Sequence, residues 1–126
     1  MDIKFYRCEH CGNIIIKLVA SRVPVICCGE PMKELTVNTV EASQEKHIPV
    51  VTKIDENTLK VAIGSAAHPM IEEHHIQFLY LQTEKGGQIA YLKPGEEPSV
   101  TFKFTSKPIA VYSYCNLHGL WKTEIK

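Results

Sequence analysis

Four of the five cysteines fall within the first 28 residues, at spacings that suit a metal ion. Cys8 and Cys11 are separated by two residues, so one tight turn can offer both thiolates to the same ion, and Gly12 lets the backbone curl back toward the sulfurs. Cys27 and Cys28 are adjacent, whereas zinc ribbons normally place two residues between such ligands. Because adjacent ligands must splay their side chains apart, the sequence predicts a distorted tetrathiolate site.

The spacing of these cysteines leaves the identity of the metal open. Soft tetrathiolate sites accept zinc or iron. A zinc-held knuckle without a redox role is therefore one alternative, and a disulfide-linked segment is a less favoured one. An odd number of cysteines favours metal ligands or redox groups over structural disulfides.

Histidines and the fifth cysteine form a second candidate set in the rest of the chain. Cys115 and His118 are three residues apart at the end of an apolar run, so one turn can offer both, and the amides of Leu117 and His118 can donate hydrogen bonds back to the sulfur. His68 and His74 are six apart. Taken singly, each histidine is equally well explained as a solvated loop residue. Five of the six histidines lie beyond residue 37 in or next to turns, which favours a shared site.

The composition is that of a water-soluble globular protein rather than a disordered or membrane-spanning one. Of the 126 residues, 44% are hydrophobic and 22% charged, and Lys plus Arg equals Asp plus Glu at 14 each. No overall field therefore favours nucleic acid or an anionic membrane. The first ten residues lack the basic and apolar regions of a signal peptide, so we expect a cytoplasmic protein with no membrane partner.

The pattern of the chain predicts two all-β domains, residues 1–36 and 37–126. The first has too little apolar material for a core, so we expect two or three short strands held by the metal, with turns at residues 8–12 and 27–29. The second lacks helical periodicity and predicts about seven strands in an immunoglobulin-like antiparallel β-sandwich, without the Cys-Trp-Cys core of antibody domains. The turn signals at 55–57, 85–87 and 93–95 predict hairpins. The predicted strands lie near residues 48–54, 58–64, 75–83, 88–93, 98–105, 109–114 and 120–125.

Four motifs carry a resemblance to a known family over essentially the whole chain. They are residues 6–12 with Cys27-Cys28-Gly29-Glu30, then Glu45-Lys46-His47-Ile48-Pro49, then His68-Pro69-Met70 with His74, and finally Cys115-Asn116-Leu117-His118-Gly119. The first is similar to desulforedoxin, whose distorted tetrathiolate site holds iron. Together they resemble desulfoferrodoxin, the two-iron class of superoxide reductase.

The resemblance implies two iron ions per chain, one in an Fe(Cys)4 and one in an Fe(His)4(Cys) site. The implied ligands of the first are Cys8, Cys11, Cys27 and Cys28, and those of the second are His47, His68, His74 and His118 in the equatorial plane with Cys115 as the axial thiolate. His75 stands where an aromatic residue is frequent in relatives, so the six-residue spacing from His68 favours His74 as the ligand. His10 has no ligand role in this pattern.

The implied activity is the one-electron reduction of superoxide to hydrogen peroxide without release of oxygen. The iron is then re-reduced by an external donor, rubredoxin or a similar protein, and relatives are homodimers. Lys46 would attract the anion and hold a water that donates a proton, while Glu45 resembles the carboxylate that takes the sixth position in the resting ferric state. Without the resemblance, both would be ordinary solvated charges.

Two other functions remain open from the residues alone. The first is a non-enzymatic iron electron-transfer or zinc-binding module in which the histidines are incidental. The second is a zinc hydrolase. It is disfavoured because four histidines and a thiolate fill five positions, whereas catalytic zinc usually has three protein ligands and a water.

Overall fold

The computed structural model describes residues 3–38, 47–64 and 68–126 of the chain. The chain divides into two compact units, Met1–Thr36 and Val37–Lys126. The described residues form twelve strands, numbered β1 to β12 in chain order, and every strand pairing is antiparallel, so the prediction of an all-β fold is confirmed. Among the described residues, no helix is long and apolar enough to cross a membrane.

The first unit is built from very short strands. A three-stranded sheet has the order β2-β1-β5, and a separate two-stranded sheet pairs β3 with β4. The prediction of two or three strands was therefore too low, because strands of two or three residues are too short for an alternating pattern to show. The strands are β1 Phe5–Arg7, β2 Ile14–Ile16, β3 Ile26–Cys27, β4 Glu30–Pro31 and β5 Lys33–Glu34.

The β3–β4 hairpin has a two-residue loop made of Cys28 and Gly29. Both residues have positive φ, 52° and 78°, and Cys27 pairs with Glu30 across the loop. Two consecutive positive φ angles are typical of the type I′ turn, whose twist matches that of a hairpin. Gly29 meets this requirement at little cost, whereas Cys28 is a non-glycine residue in the left-handed region. The turn therefore gives two adjacent cysteines different backbone conformations, and their sulfurs still lie within 4.8 Å of each other.

The second unit contains seven strands in two sheets. The three-stranded sheet has the order β10-β7-β6 and the four-stranded sheet the order β12-β11-β8-β9. In immunoglobulin lettering these are the sheets E-B-A and G-F-C-C′, so the predicted immunoglobulin-like sandwich of about seven strands is confirmed, although its strand order was not predicted. The strands are β6 Pro49–Asp55, β7 Thr58–Ile63, β8 Ile76–Thr83, β9 Gly86–Tyr91, β10 Ser99–Lys103, β11 Pro108–Cys115 and β12 Gly119–Glu124.

One predicted hairpin is wrong. The turns at residues 55–57 and 85–87 join paired strands, β6 with β7 and β8 with β9. The turn at residues 93–95 instead connects β9 in the four-stranded sheet to β10 in the three-stranded sheet. Its Pro-Gly sequence predicts a reversal of the chain, but it says nothing about which strand the next one will pair with.

The core of the sandwich lies between the two sheets. Leu59, Val61 and Ile63 alternate along β7 with more polar positions and are at most 4% exposed. They meet Leu79 and Leu81 of β8 in one apolar cluster. Burying side chains of this size stabilises the fold by about 1.5–3 kcal/mol each relative to leaving them in water. The sandwich is thus a rigid frame for the loops at its ends.

Candidate metal centres

The four sulfurs of the first unit converge on one point. The Sγ atoms of Cys8, Cys11, Cys27 and Cys28 all lie within 4.8 Å of one another, and those of Cys11 and Cys27 are 3.6 Å apart. Tetrahedral coordination with metal–sulfur bonds of about 2.3 Å places ligand sulfurs about 3.8 Å apart. The group therefore fits one tetrahedrally coordinated ion. All five cysteines of the chain are free, so the disulfide alternative is not what the structure shows.

The sulfur environments in this group are unequal. The Cys11 amide, which donates to Cys8 Sγ at 3.5 Å, is the largest cause that lowers the Cys8 pKa to about 6. Contacts with the thiols of Cys8 and Cys11 raise the Cys28 pKa to about 12, and the Cys11 thiol is also the main cause that raises the Cys27 pKa. Four thiols this close cannot all ionise without a compensating cation, since each thiolate disfavours the next. A bound metal ion supplies that charge.

The second group of ligand atoms forms at one end of the sandwich. His47 precedes β6, His68 and His74 lie between β7 and β8, and Cys115 and His118 lie at the hairpin that joins β11 to β12. Antiparallel pairing brings the starts of β6, β8 and β12 to the same end as the ends of β7 and β11. The strand order therefore brings together residues that are as much as 71 positions apart.

The four imidazole rings stand at the corners of a square. Neighbouring ring centroids are 4.7 Å apart for His47–His68 and His68–His74, 4.9 Å for His74–His118 and 4.8 Å for His47–His118. The diagonal from His47 to His74 is 6.4 Å. Adjacent rings are inclined by 76–81° to each other. Three of these residues, His47, His74 and His118, also have a ligand nitrogen in one group with the Cys115 thiol, whereas His68 joins the square by its ring and lies outside that group.

His68 is held as a neutral ring with one nitrogen available. Its Nδ1 donates to the Pro69 carbonyl at 2.6 Å, which leaves Nε2 as the acceptor nitrogen. That Nε2 is buried and has no hydrogen-bond partner among the described residues. Burial is the largest cause that lowers the His68 pKa to about 4. A buried acceptor nitrogen that stays unprotonated at neutral pH fits a metal ligand.

Cys115 supplies a thiol beside the square. Its Sγ lies 3.9 Å from His118 Nδ1, and these two residues with His47 and His74 have ligand atoms within 4.8 Å of one another. A register shift in the β11–β8 pairing occurs between Tyr114 and Cys115, and such irregularities commonly re-aim a side chain next to a functional site. Burial raises the Cys115 pKa, and the amides of Leu117 and His118 oppose that increase. A nearby cation would favour the thiolate.

Comparisons with known proteins account for both groups. The profile of the desulfoferrodoxin family matches residues 39–124, and that of the desulfoferrodoxin N-terminal domain matches residues 2–35. The chain belongs to the desulfoferrodoxin family. It is 43% identical over 122 residues to the desulfoferrodoxin of Syntrophotalea carbinolica, covering 97% of this chain and 96% of that one, and 42% identical over 121 residues to that of Nitratidesulfovibrio vulgaris, covering 96% and 95%.

A solved structure supports the same conclusion for the fold. The superoxide reductase of Treponema pallidum superposes with a TM-score of 0.80 at 32% identity over 98% of both chains. The four-sulfur group and the histidine–thiolate group match the two iron sites of desulfoferrodoxins, so the prediction of two irons per chain is confirmed. Membership of the family that the sequence motifs indicated is likewise confirmed.

The structure also locates the other histidines that the sequence analysis considered. The ring of His74 belongs to the square, whereas the main-chain amide of His75 donates to Asn116 Oδ1 at 2.9 Å. His10 is exposed, and its Nε2 donates to Glu30 Oε2 at 3.0 Å. Glu45 and Lys46 lie outside the residues that the structure describes, so their predicted roles are taken up below as proposals.

Residues around the square were missed in the sequence analysis. Trp121 donates from Nε1 to the His118 carbonyl at 3.2 Å, and its ring lies against His47. Ser113 Oγ donates to the His47 carbonyl at 3.0 Å. Partners of this kind orient metal ligands in proteins. The available signal in the sequence was Ser113 itself, a hydroxyl residue within a predicted strand of mostly apolar residues.

Proposed function

We propose that this protein is a superoxide reductase. It reduces superoxide to hydrogen peroxide, which consumes one electron and two protons per superoxide and releases no oxygen. The observation that carries the proposal is the square of four imidazoles with the buried Cys115 thiol beside it. Relatives support it: the Pyrococcus abyssi protein named superoxide reductase is 34% identical over 72% of this chain.

The proposed ligands of the catalytic iron are the four members of the square and the thiolate. His68 would bind through Nε2, since its Nδ1 donates to the Pro69 carbonyl, and His118 would bind through Nδ1, which faces both Cys115 and His47. Bound there, ferrous iron supplies the electron that superoxide takes up. His47, His68, His74, His118 and Cys115 would together hold this iron.

The chain's charged residues before His47 bring in the substrate and the proton. The Lys46 ammonium attracts the superoxide anion over a range of about 10 Å at ordinary ionic strength, and it holds a water that donates a proton. Glu45 would supply a carboxylate ligand to the oxidised iron. These roles rest on the family motif and on the chemistry of the two side chains.

The tetrathiolate group has a supporting role. The sulfurs of Cys8, Cys11, Cys27 and Cys28 fill the tetrahedral positions around one ion, which leaves no place for superoxide. Around a bound iron they would hold the first unit together, and that iron would supply a redox centre that can accept an electron from an external donor such as rubredoxin. We also propose that the protein acts in the cytoplasm as a homodimer, in the detoxification of superoxide.

Metal analysis combined with rapid kinetics tests the proposal. We expect two irons per chain, a visible thiolate-to-iron band from the ferric histidine site that is lost in Cys115→Ser, and fast oxidation of the reduced protein by superoxide in stopped flow. One zinc per chain in a colourless protein would instead support the non-enzymatic metal-binding module.

The role of Lys46 has its own test. Lys46→Ala should keep both irons but slow the reaction with superoxide and weaken its dependence on salt, because the attraction that salt screens is gone. Lys60→Ala, which removes an exposed lysine from β7, is the matched control and should change neither property. Equal kinetics for Lys46→Ala and the unmodified protein at several salt concentrations would refute the role.

A further inference from the structure

The side chain of Asn116 holds the main chain on both sides of His74. Its Nδ2 donates to the Glu73 carbonyl at 2.9 Å, and its Oδ1 accepts from the His75 amide, also at 2.9 Å. The carboxamide therefore spans the residue before His74 and the residue after it. A single side chain 42 positions along the chain thus fixes both flanks of this histidine.

The main chain of Asn116 adds a third hydrogen bond to the same segment. Its amide donates to the His75 carbonyl at 3.3 Å. Asn116 directly follows Cys115, which pairs with Ile76 at the start of β8. The turn that carries the thiolate and the segment that carries His74 are thus joined by three hydrogen bonds within three residues.

The segment before His74 is anchored at its far end by Met70, whose carbonyl accepts from the Gly95 amide at 2.7 Å and whose side chain packs against the core cluster. Ile71, Glu72 and Glu73 are exposed, and the amides and carbonyls of Ile71 and His74 exchange a pair of hydrogen bonds at 3.1 Å within the segment itself. Contacts inside one exposed turn fix its shape but not its place relative to the rest of the protein. Asn116 supplies a second connection to the sandwich, directly beside His74.

An asparagine suits this position because its amide group carries both a donor and an acceptor. An aspartate would keep the acceptor for the His75 amide but would lose the donor and place a carboxylate oxygen against the Glu73 carbonyl. We propose that Asn116 is a positioning residue that sets the His74 imidazole relative to the Cys115 thiolate. This inference rests on the proposed ligand roles of His74 and Cys115.

Two substitutions test the inference through the metal rather than through activity. Asn116→Ala removes both side-chain hydrogen bonds, and Asn116→Asp removes the donor while preserving size. Both should speed the transfer of iron from the histidine site to a chelator and lower its iron affinity about 10–100-fold, as loss of an outer partner of a ligand typically does. Both should also shift the thiolate-to-iron band while the tetrathiolate spectrum stays unchanged.

Asn38 offers a matched control in the same unit. Its side chain makes the same two-way clamp on a main chain, donating to the Lys122 carbonyl at 3.3 Å and accepting from the Lys122 amide at 3.0 Å. Asn38→Ala should therefore lower stability without moving the band. An unshifted band and unchanged iron release in both Asn116 variants would overturn the inference, as would equal effects from Asn38→Ala.

A third variant separates the inference from the function on which it rests. His74→Ala should abolish binding at the histidine site while leaving the tetrathiolate iron in place. If His74→Ala kept the iron of the histidine site with an unshifted thiolate-to-iron band, the assignment of His74 as a ligand would fail. If His74→Ala lost the iron and the Asn116 variants behaved as the unmodified protein, only the positioning role of Asn116 would fail.

Discussion

The indole of Trp121 lies against the imidazole of His47, with ring centroids 5.0 Å apart and planes inclined by 21°. The same indole donates to the carbonyl of His118, so one fully buried side chain touches two neighbouring corners of the square. Ser113, on β11, holds His47 from the other strand of the hairpin, because its hydroxyl donates to the His47 carbonyl. Strands β11 and β12 thus position His47, although His47 lies on neither.

Substitutions of Trp121 should loosen this arrangement in two steps. Trp121→Phe keeps a ring beside His47 but loses the donor to His118, whereas Trp121→Leu loses both. We expect the iron affinity of the histidine site to fall about 10–100-fold in the leucine variant and by less in the phenylalanine variant. Competition with a chelator, followed through the thiolate-to-iron band, measures both values.

Phe78 provides the control for loss of a buried aromatic ring. It belongs to the neighbouring strand β8, is 7% exposed, and stacks on Tyr114 with centroids 5.6 Å apart. Phe78→Leu should reduce stability yet leave the iron affinity unchanged. A comparable loss of affinity in Phe78→Leu would mean that Trp121 acts through general packing alone.

Asn13 should tune the tetrathiolate iron. Its Nδ2 donates to Cys27 Sγ at 3.7 Å, and a hydrogen bond to a ligand sulfur draws electron density from it and favours the reduced metal. Asn13→Ala should therefore lower the reduction potential of this site, and Asn13→Asp should lower it further because it adds a negative charge. Redox titration of the tetrathiolate band measures the change. A rise in potential, or an equal shift at the histidine site, would contradict this explanation.

The sequence predicted the strands of the sandwich well because their signal is local. Leu59, Val61 and Ile63 alternate along β7, and this period of two survives in any sheet that has one buried face. Sheet membership depends on distant partners, which explains why the turn at residues 93–95 was assigned to a hairpin. The two-residue strands around Cys27 and Glu30 are fixed by the turn and the sulfurs rather than by a repeating pattern.

The candidate sites show the same difference between local signals, which the sequence carries, and contacts between distant residues, which it does not. Cys8 with Cys11, and Cys115 with His118, could be paired from spacing because each pair shares one turn. The supports of the histidines could not be found that way, since Ser113 and His47 are 66 positions apart and meet through the strand order. Asn116 lies within the motif Cys115-Asn116-Leu117-His118-Gly119, but only its contacts with residues 73 and 75 show which segment it holds.

The β6–β7 hairpin turn should make stability depend on pH in acid. Asp55 Oδ1 accepts from the Asn57 amide at 2.8 Å, and this bond is the main cause that lowers the Asp55 pKa below its ordinary value of 3.8. The ionised carboxylate is favoured in the folded state, so its stabilisation is present above pH 3.8 and is lost as pH falls through the lower folded value. Asp55→Asn should be less stable than the unmodified protein at pH 7, and the difference should vanish in strong acid. Denaturant midpoints across pH 2–7 measure it, and a constant difference would refute it.

The sandwich core should be far more sensitive to truncation than its surface. Ile63 on β7 is 4% exposed and packs in the apolar cluster, whereas Ile54 on β6 is 56% exposed. Ile63→Ala should lower the free energy of unfolding by about 2–5 kcal/mol and Ile63→Val by about 0.5–1.5 kcal/mol, because a larger cavity remains after the larger deletion. Ile54→Ala removes the same atoms from a largely solvated position and should change stability by no more than about 0.5 kcal/mol. Chemical denaturation of the metal-loaded proteins gives all three values. Equal losses for Ile63→Ala and Ile54→Ala would show that β6 packs its outer face against something in solution, and that Ile54 is not a surface residue there.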